Sequence, residues 1–206
     1  MNIVLHQPEI AGNTGNIGRT CAATGTGLHL IEPLGFKLTR REIKRAGMDY
    51  WDMLDVRRYM NYREFRDKNP GARIWYATTK AARSYTEVSF RPDDFIMFGR
   101  ESAGIPEEIL VENEPFCIRI PMGFGIRSLN LSNSAAIILY EALRQNGFRD
   151  LETEGHLHRL QWTDRQSSSW EDYSSRSRSS LSSERFSVKM NSLPIPSVLT
   201  RLIFSS

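Results

Sequence analysis

Cysteine is almost absent from this chain of 206 residues, which has only Cys21 and Cys117. Both lie in apolar contexts, with no CxxC spacing and no histidine pair nearby. A disulfide framework and a zinc site are therefore excluded as organising principles, and both thiols are expected in the core. Histidine is equally sparse: His6, His29, His156 and His158 are scattered, and only the last two are closely spaced, next to a polar tail. No metal is predicted. Long apolar runs are missing too. Nothing approaches the roughly 20 residues of a membrane span, and the opening MNIVLHQPEI has neither the basic region nor the apolar stretch of a signal peptide. A cytosolic location is the expectation.

Charge of one sign is also lacking. The net charge is +3, but residues 1–159 hold 21 Lys and Arg against 20 Asp and Glu. Nucleic-acid contact would therefore need a local patch. KLTRREIKRAG supplies the candidate: with Thr39 as a cap, Arg40, Arg41, Lys44 and Arg45 fall on one face of a helix over 40–46. That face reads either as solvated or as a phosphate contact.

What is present is a regular alternation. NIVLH, LHLIEP, RIWYATT, FIMFG and CIRIPM read as strands, most too continuously apolar to be buried on one side only. Helical patterns lie between them at 15–24, 40–46, 61–68 and 106–112, and a long one opens near Leu129. An α/β domain follows, with a mostly parallel sheet flanked by helices and ligand sites at the C-terminal strand ends. From about Gln161 the chain turns Ser-rich and aperiodic. The predicted organisation is a domain over 1–160 and a disordered or weakly ordered tail over 161–206.

Three polar, glycine-bearing stretches sit at strand ends: PEIAGNTGNIGRTCAATG, FGRESAGIPEEIL and IPMGFGIRSLNLSN. Gly12, Gly15 and Gly18 spell GxxGxxG, which is not the dinucleotide fingerprint, and no P-loop signature occurs. The third stretch runs into SLNLSNSAAIILYEALRQ, whose start carries Ser128, Asn130, Ser132, Asn133 and Ser134. A helix start needs one such side chain as its cap. The surplus reads either as redundant capping or as ligand contact.

The segments NTGNIGRTCA at 13–22, FGRESAGIP at 98–106 and IPM…SLNLSNSAA at 120–136 resemble the three motifs of the SPOUT, or trefoil-knot, RNA methyltransferases. IEPLGF, KRAGMDYW and RSLNLSN are most similar to the tRNA (cytidine(34)-2′-O)-methyltransferase group. The resemblance spans about residues 2–150. The sequence departs from the pattern at Ala11–Gly12 and in GFGIRS, and nothing in the resemblance covers the tail.

The resemblance implies a deep trefoil knot formed by the C-terminal third, with S-adenosylmethionine bound in it by the loops around Ala77, Thr78, Gly99, Ile120, Ser128 and Leu129. It implies a homodimer packed through the C-terminal helices, acting on the wobble nucleotide of tRNA, with the 40–45 face against the anticodon arm. Methyl transfer from a sulfonium neutralises the leaving group, so the chemical burden falls on orienting and deprotonating a ribose 2′-hydroxyl. Arg19 is the expected clamp on the adjacent phosphate and stabiliser of a developing alkoxide, with the phosphate taking the proton. Asn13 is expected to orient Arg19 or the ribose, Glu101 to hold the first loop or Arg19, and Asn130 and Ser128 to meet substrate or cofactor. Leu131, Ile138, Leu139 and Leu143 are assigned to packing, and Tyr140 is read as a core aromatic rather than a dimer contact. The rivals are a 2′-O-methyltransferase for another RNA position, an RNA-binding protein with a decayed site and a nicotinamide oxidoreductase.

Overall fold

A computed structural model of the chain describes residues 1–39, 43 and 50–159. The chain divides into two compact units, Met1–Glu154 and Gly155–Ser206; the predicted tail over 161–206 lies outside the described residues. In the first unit six parallel strands form one sheet: β1 (Asn2–His6), β2 (Gly27–Ile31), β3 (Val56–Tyr59), β4 (Ile74–Ala77), β5 (Phe95–Phe98) and β6 (Cys117–Ile118). Their order is β3-β2-β1-β5-β4-β6. Among the described residues four α-helices are delimited: α1 (Ala11–Thr24), α2 (Tyr62–Lys68), α3 (Glu107–Glu112) and α4 (Leu131–Gln145).

The continuous apolar runs reflect burial on both faces. In β1, Ile3 and Leu5 join a cluster with Ile17 and Cys21 of α1 and Ile138, Leu139 and Leu143 of α4. Val4, between them, points the other way, into a cluster with Phe65 of α2 and Ile109 of α3. Cys21 and Cys117 are buried and unbridged, as their apolar contexts predict. Burial pushes the Cys21 thiol up to about 12.

β3 has no counterpart in the sequence reading. Its sequence, VRRY, puts Arg57 and Arg58 side by side and breaks any alternation. The strand lies at the sheet edge, where charge protects unpaired backbone. Arg57 pairs with Asp55 and Arg58 with Glu32, each at 2.8 Å. Of the helix predicted over 40–46, only Ile43 is described, its N–H donating to the Thr39 carbonyl at 2.9 Å. Arg40, Arg41, Lys44 and Arg45 lie outside the described residues.

Two buried polar clusters fix the lower sheet. The Asp94 carboxylate accepts from Arg73 at 2.6 and 2.7 Å, from Trp75 Nε1 at 2.8 Å and from the Arg91 N–H at 2.9 Å. His29 on β2 stacks on Tyr59. Its Nε2 faces Asn2 Oδ1 at 3.3 Å and its Nδ1 faces the Tyr59 hydroxyl at 2.8 Å. Asn2 Oδ1 can only accept, so Nε2 carries the proton and Nδ1 accepts from Tyr59.

Candidate functional site

The three polar loops meet at the C-terminal edge of the sheet, where the strand order departs from sequence order between β1 and β5. The second loop is the tightest. After β5, Arg100 and Gly104 exchange both backbone hydrogen bonds, at 2.9 and 3.1 Å. Gly104 has φ +74°, as closure of so short a turn requires. A Cβ on Gly99 would lie 2.0 Å from the Gly104 carbonyl carbon, so the turn folds directly over that residue.

This turn presents Glu101 and Ser102 to the first loop, and the exchange is reciprocal. The Glu101 carboxylate accepts from the backbone N–H of Glu9 at 2.8 Å and of Ile10 at 3.3 Å. The Glu9 carboxylate accepts from the Ser102 N–H at 2.9 Å and hydroxyl at 2.8 Å, and these bonds hold its pKa below the usual carboxylate range. α1 has no side-chain cap of its own at Ile10. Glu101 supplies the missing acceptor from 91 residues away, at the end of the helix where a negative charge is favoured.

From Glu101 the network continues into the third loop. Asn13 Nδ2 donates to Glu101 Oε1 at 2.9 Å, and Asn130 Nδ2 donates to Asn13 Oδ1 at 3.0 Å. Asn130 is the N-cap of α4, its Oδ1 accepting from the N–H groups of Ser132 at 2.9 Å and Asn133 at 3.3 Å. The Ser132 hydroxyl also donates to Asn130 Oδ1, at 2.7 Å, and the Ser134 hydroxyl donates to the Asn130 carbonyl at 3.0 Å. Both ends of this chain are chemically fixed: a carboxylate can only accept and a backbone N–H can only donate. Each amide between them therefore has one satisfactory orientation.

The loops enclose a cavity of about 610 Å³. Its wall is built from Ile10 and Asn13, residues 77–80 at the end of β4, 98–105 at the end of β5, and, between β6 and α4, Ile118, Ile120, Met122 and residues 127–131, with Ser134 and Ile138 of α4. Apolar surface from Ile105, Ile118, Ile120 and Ile138 alternates with loop backbone, the usual make-up of a small-molecule site. Among the described residues no cluster of three or more metal-ligating side chains occurs.

Comparison with known proteins decides the family. The model of the SpoU rRNA Methylase family matches residues 1–140. This chain belongs to that family. A provisionally named tRNA (cytidine(34)-2′-O)-methyltransferase of Geobacillus stearothermophilus is 49% identical over 154 residues, covering 73% of this chain and 98% of the relative. Among solved structures, one described as "Structural insights into the 2-OH methylation of C/U34 on tRNA" is 44% identical with a TM-score of 0.67, covering 72% of this chain and 97% of that one. An AdoMet-bound rRNA methyltransferase from Sinorhizobium meliloti is 26% identical with a TM-score of 0.62, covering 69% and 55%.

In this SpoU-family chain, Ala77, Thr78, Gly99, Ile120, Ser128 and Leu129 all line the cavity, together with Asn13, Glu101 and Asn130. Arg19 does not. It is exposed on α1, its guanidinium 5.0 Å from the centre of the Tyr50 ring. The Tyr50 hydroxyl donates to the Gly15 carbonyl at 2.5 Å, so ring and guanidinium are fixed to the same helix. Trp51 and Leu54 press on Gly18, where a Cβ would lie 3.2 Å from each. The Asn13 side chain bonds to those of Glu101 and Asn130, and the Glu101 carboxylate also to loop backbone. Tyr140, read from sequence as a core aromatic, is exposed beside Ile137 on α4, because the buried stripe of that helix runs through Ala135, Ile138, Leu139, Ala142 and Leu143. Sequence reasoning missed Glu9, Ser102 and Tyr50; the PEI, RES and DYW segments held them, but only the loop crossing gives each its partner.

Proposed function

We propose that this protein methylates the 2′-hydroxyl of the ribose at the wobble position, nucleotide 34, of tRNA. The observation that carries the reading is the Glu101–Asn13–Asn130 chain, which joins the three family motifs around one cavity in a sequence 49% identical to a position-34 relative over nearly that relative's whole length. S-adenosylmethionine is the cofactor of this family. The cavity suits it: a volume of about 610 Å³, apolar walls for an adenine ring, and loop backbone for the polar groups of a nucleoside and an amino acid. Residues 77–80, Gly99, Ile120, Ser128 and Leu129 would hold it, and when bound it supplies an electrophilic methyl group.

The chain's own residues supply placement. Glu101 and Glu9 lock the first two loops together, and Asn130 ties the third to them. Preorganised walls of this kind turn a bimolecular encounter into an oriented one. Arg19 supplies the cation beside the ribose: it clamps the neighbouring phosphate and stabilises negative charge developing at the 2′-oxygen. A guanidinium is a poor proton acceptor, so the proton passes to that phosphate. Supporting this role, Arg19 is exposed and lies in the first motif, with Tyr50 holding its fork.

The reading extends to a homodimer packed through α4, with the exposed Ile137 and Tyr140 at its contact, and to a trefoil knot formed where the chain passes from β6 into α4. It also includes tRNA contact through the basic segment 40–45 and a cytosolic location. A tail beyond residue 160 that plays no part in cofactor binding completes it. The deciding experiment is methyl transfer from labelled S-adenosylmethionine to tRNA transcripts, with the product mapped by nucleotide. Label at the 2′-oxygen of nucleotide 34 is expected; label at another nucleotide would move the substrate, and binding without transfer would favour an RNA-binding protein.

A further inference from the structure

The cavity mouth carries an aromatic side chain that no interaction within the fold requires. Residues 123–126 form a tight turn, closed by the Ile126 N–H donating to the Gly123 carbonyl at 3.2 Å, with Gly125 at φ +80°. Phe124 stands at the crest of this turn, fully exposed, with Ile126 exposed beside it. Turn crests normally carry small polar residues, and a phenyl ring there leaves a large apolar face in water. The flanking Met122 and Arg127 line the cavity wall, so the ring stands next to the site.

Part of the basic surface is paired with carboxylates and part is not. Arg57, Arg58, Lys68, Arg73, Lys80 and Arg144 each sit against a carboxylate. Arg127 and Arg100, both exposed and both on the cavity wall, form no salt bridge with any described residue. An exposed ring on the turn that leads to Arg127, with Arg100, whose charge also reaches Glu9, on the same cavity wall, matches one ligand chemistry: single-stranded RNA, which offers a flat base and a phosphate at each step. A second protein surface would be expected to bring carboxylates for the arginines and to cover Ile126 and Phe124 together.

We propose that Phe124 is the platform on which a nucleobase flanking the methylated ribose stacks, while Arg127 and Arg100 take the adjoining phosphates. Phe124 then contributes to substrate choice by demanding an unpaired neighbour, as a loop nucleotide has and a duplex nucleotide lacks. This inference rests on the RNA-methyltransferase reading. Because the side chain touches nothing structural, its replacement leaves the fold intact.

The test compares Phe124→Ala, Phe124→Trp and Arg127→Ala with the parent protein on an anticodon stem-loop carrying 2-aminopurine beside nucleotide 34. Phe124→Ala is expected to weaken RNA binding by about tenfold or more and to abolish the fluorescence quenching seen with the parent. Phe124→Trp should retain both. Arg127→Ala should lower the salt dependence of binding by about one phosphate contact. S-adenosylmethionine affinity should not change in either Phe124 variant, and sedimentation behaviour should not change in any variant. A matching loss of cofactor affinity would reassign the ring to the cofactor, and a change in oligomeric state would reassign it to a second copy; either overturns the proposal. So does undiminished RNA binding by Phe124→Ala when the parent methylates nucleotide 34. If the parent itself neither binds nor methylates RNA, the functional reading fails first and takes this inference with it.

Discussion

Asn130 Nδ2 donates to Asn13 Oδ1 at 3.0 Å, across 117 residues of sequence. One amide thereby caps α4 with its oxygen and holds the start of α1 with its nitrogen. The two duties separate by substitution. Asn130→Asp keeps an acceptor for the Ser132 and Asn133 N–H groups but sets a second acceptor against Asn13; Asn130→Ala loses cap and link together. Asn130→Ala should cost about 1–2 kcal/mol in urea unfolding, the ordinary value of a lost cap. Asn130→Asp should cost less, yet weaken S-adenosylmethionine binding, measured by calorimetry. Equal stability losses in the two variants would show that the cap is not what Asn130 contributes.

Gly99 offers a second test. Its Cβ position is occupied by the backbone of Gly104 and Ile105, at 2.0 and 2.1 Å. Even Gly99→Ala should therefore open the second loop, remove Glu101 from the first loop and abolish cofactor binding. The sheet should remain, as judged by circular dichroism. Gly104→Ala meets no neighbour and bears only the strain of φ +74°, about 1 kcal/mol, so it should retain binding in weakened form. Cofactor binding by Gly99→Ala at parental strength would refute this account of the loop.

Arg19 is to be tested by Arg19→Lys. A clamp that needs the planar two-pronged fork fails with a lysine of the same charge, whereas a simple counter-charge survives the exchange. Single-turnover transfer should slow by at least about a hundredfold, roughly 2.7 kcal/mol of transition-state stabilisation. Cofactor affinity should hold, because Arg19 does not line the cavity. A near-parental rate would return the search for the chemistry to Asn13, Glu101 and Asn130.

His29 predicts a pH dependence of stability. Burial, then the nearby Arg57 charge, lowers its pKa from 6.5 to about 4. Below pH 6.5 the unfolded chain takes up a proton that the folded chain refuses. Stability from this group is thus complete above about pH 6.5 and is lost as the pH falls towards 4, by up to about 3 kcal/mol. His6, lowered by burial and by Arg100, acts in the same direction. Urea midpoints measured from pH 7 to 4 should fall more steeply for the parent than for His29→Gln, and parallel curves would refute the assignment.

Much of this protein was legible in its sequence because burial leaves a local record. Strands buried on both faces must be apolar at every position, so β1, β2, β4 and β5 announce themselves; α4 shows its stripe through Ile138, Leu139 and Leu143. The three polar loops were equally visible, since residues excused from the core stand out between apolar runs. β3 left no such record: an edge strand satisfies its arginines with Asp55 and Glu32, and pairing partners are not written into VRRY. The start of α1 was hidden for a related reason. Gly12, Gly15 and Gly18 argue against a helix, with a cost of about 1 kcal/mol each relative to alanine. Tertiary contacts override them: Glu101 caps the N-terminus, and Trp51 and Leu54 need the bare surface of Gly18. The sequence by itself determined which residues could do chemistry. Only the tertiary structure decided that Glu101, Asn13 and Asn130 form one hydrogen-bonded chain while Arg19 stands apart on Tyr50, because a hydrogen bond depends on angstroms in space and is indifferent to the 88 or 117 residues that separate its partners.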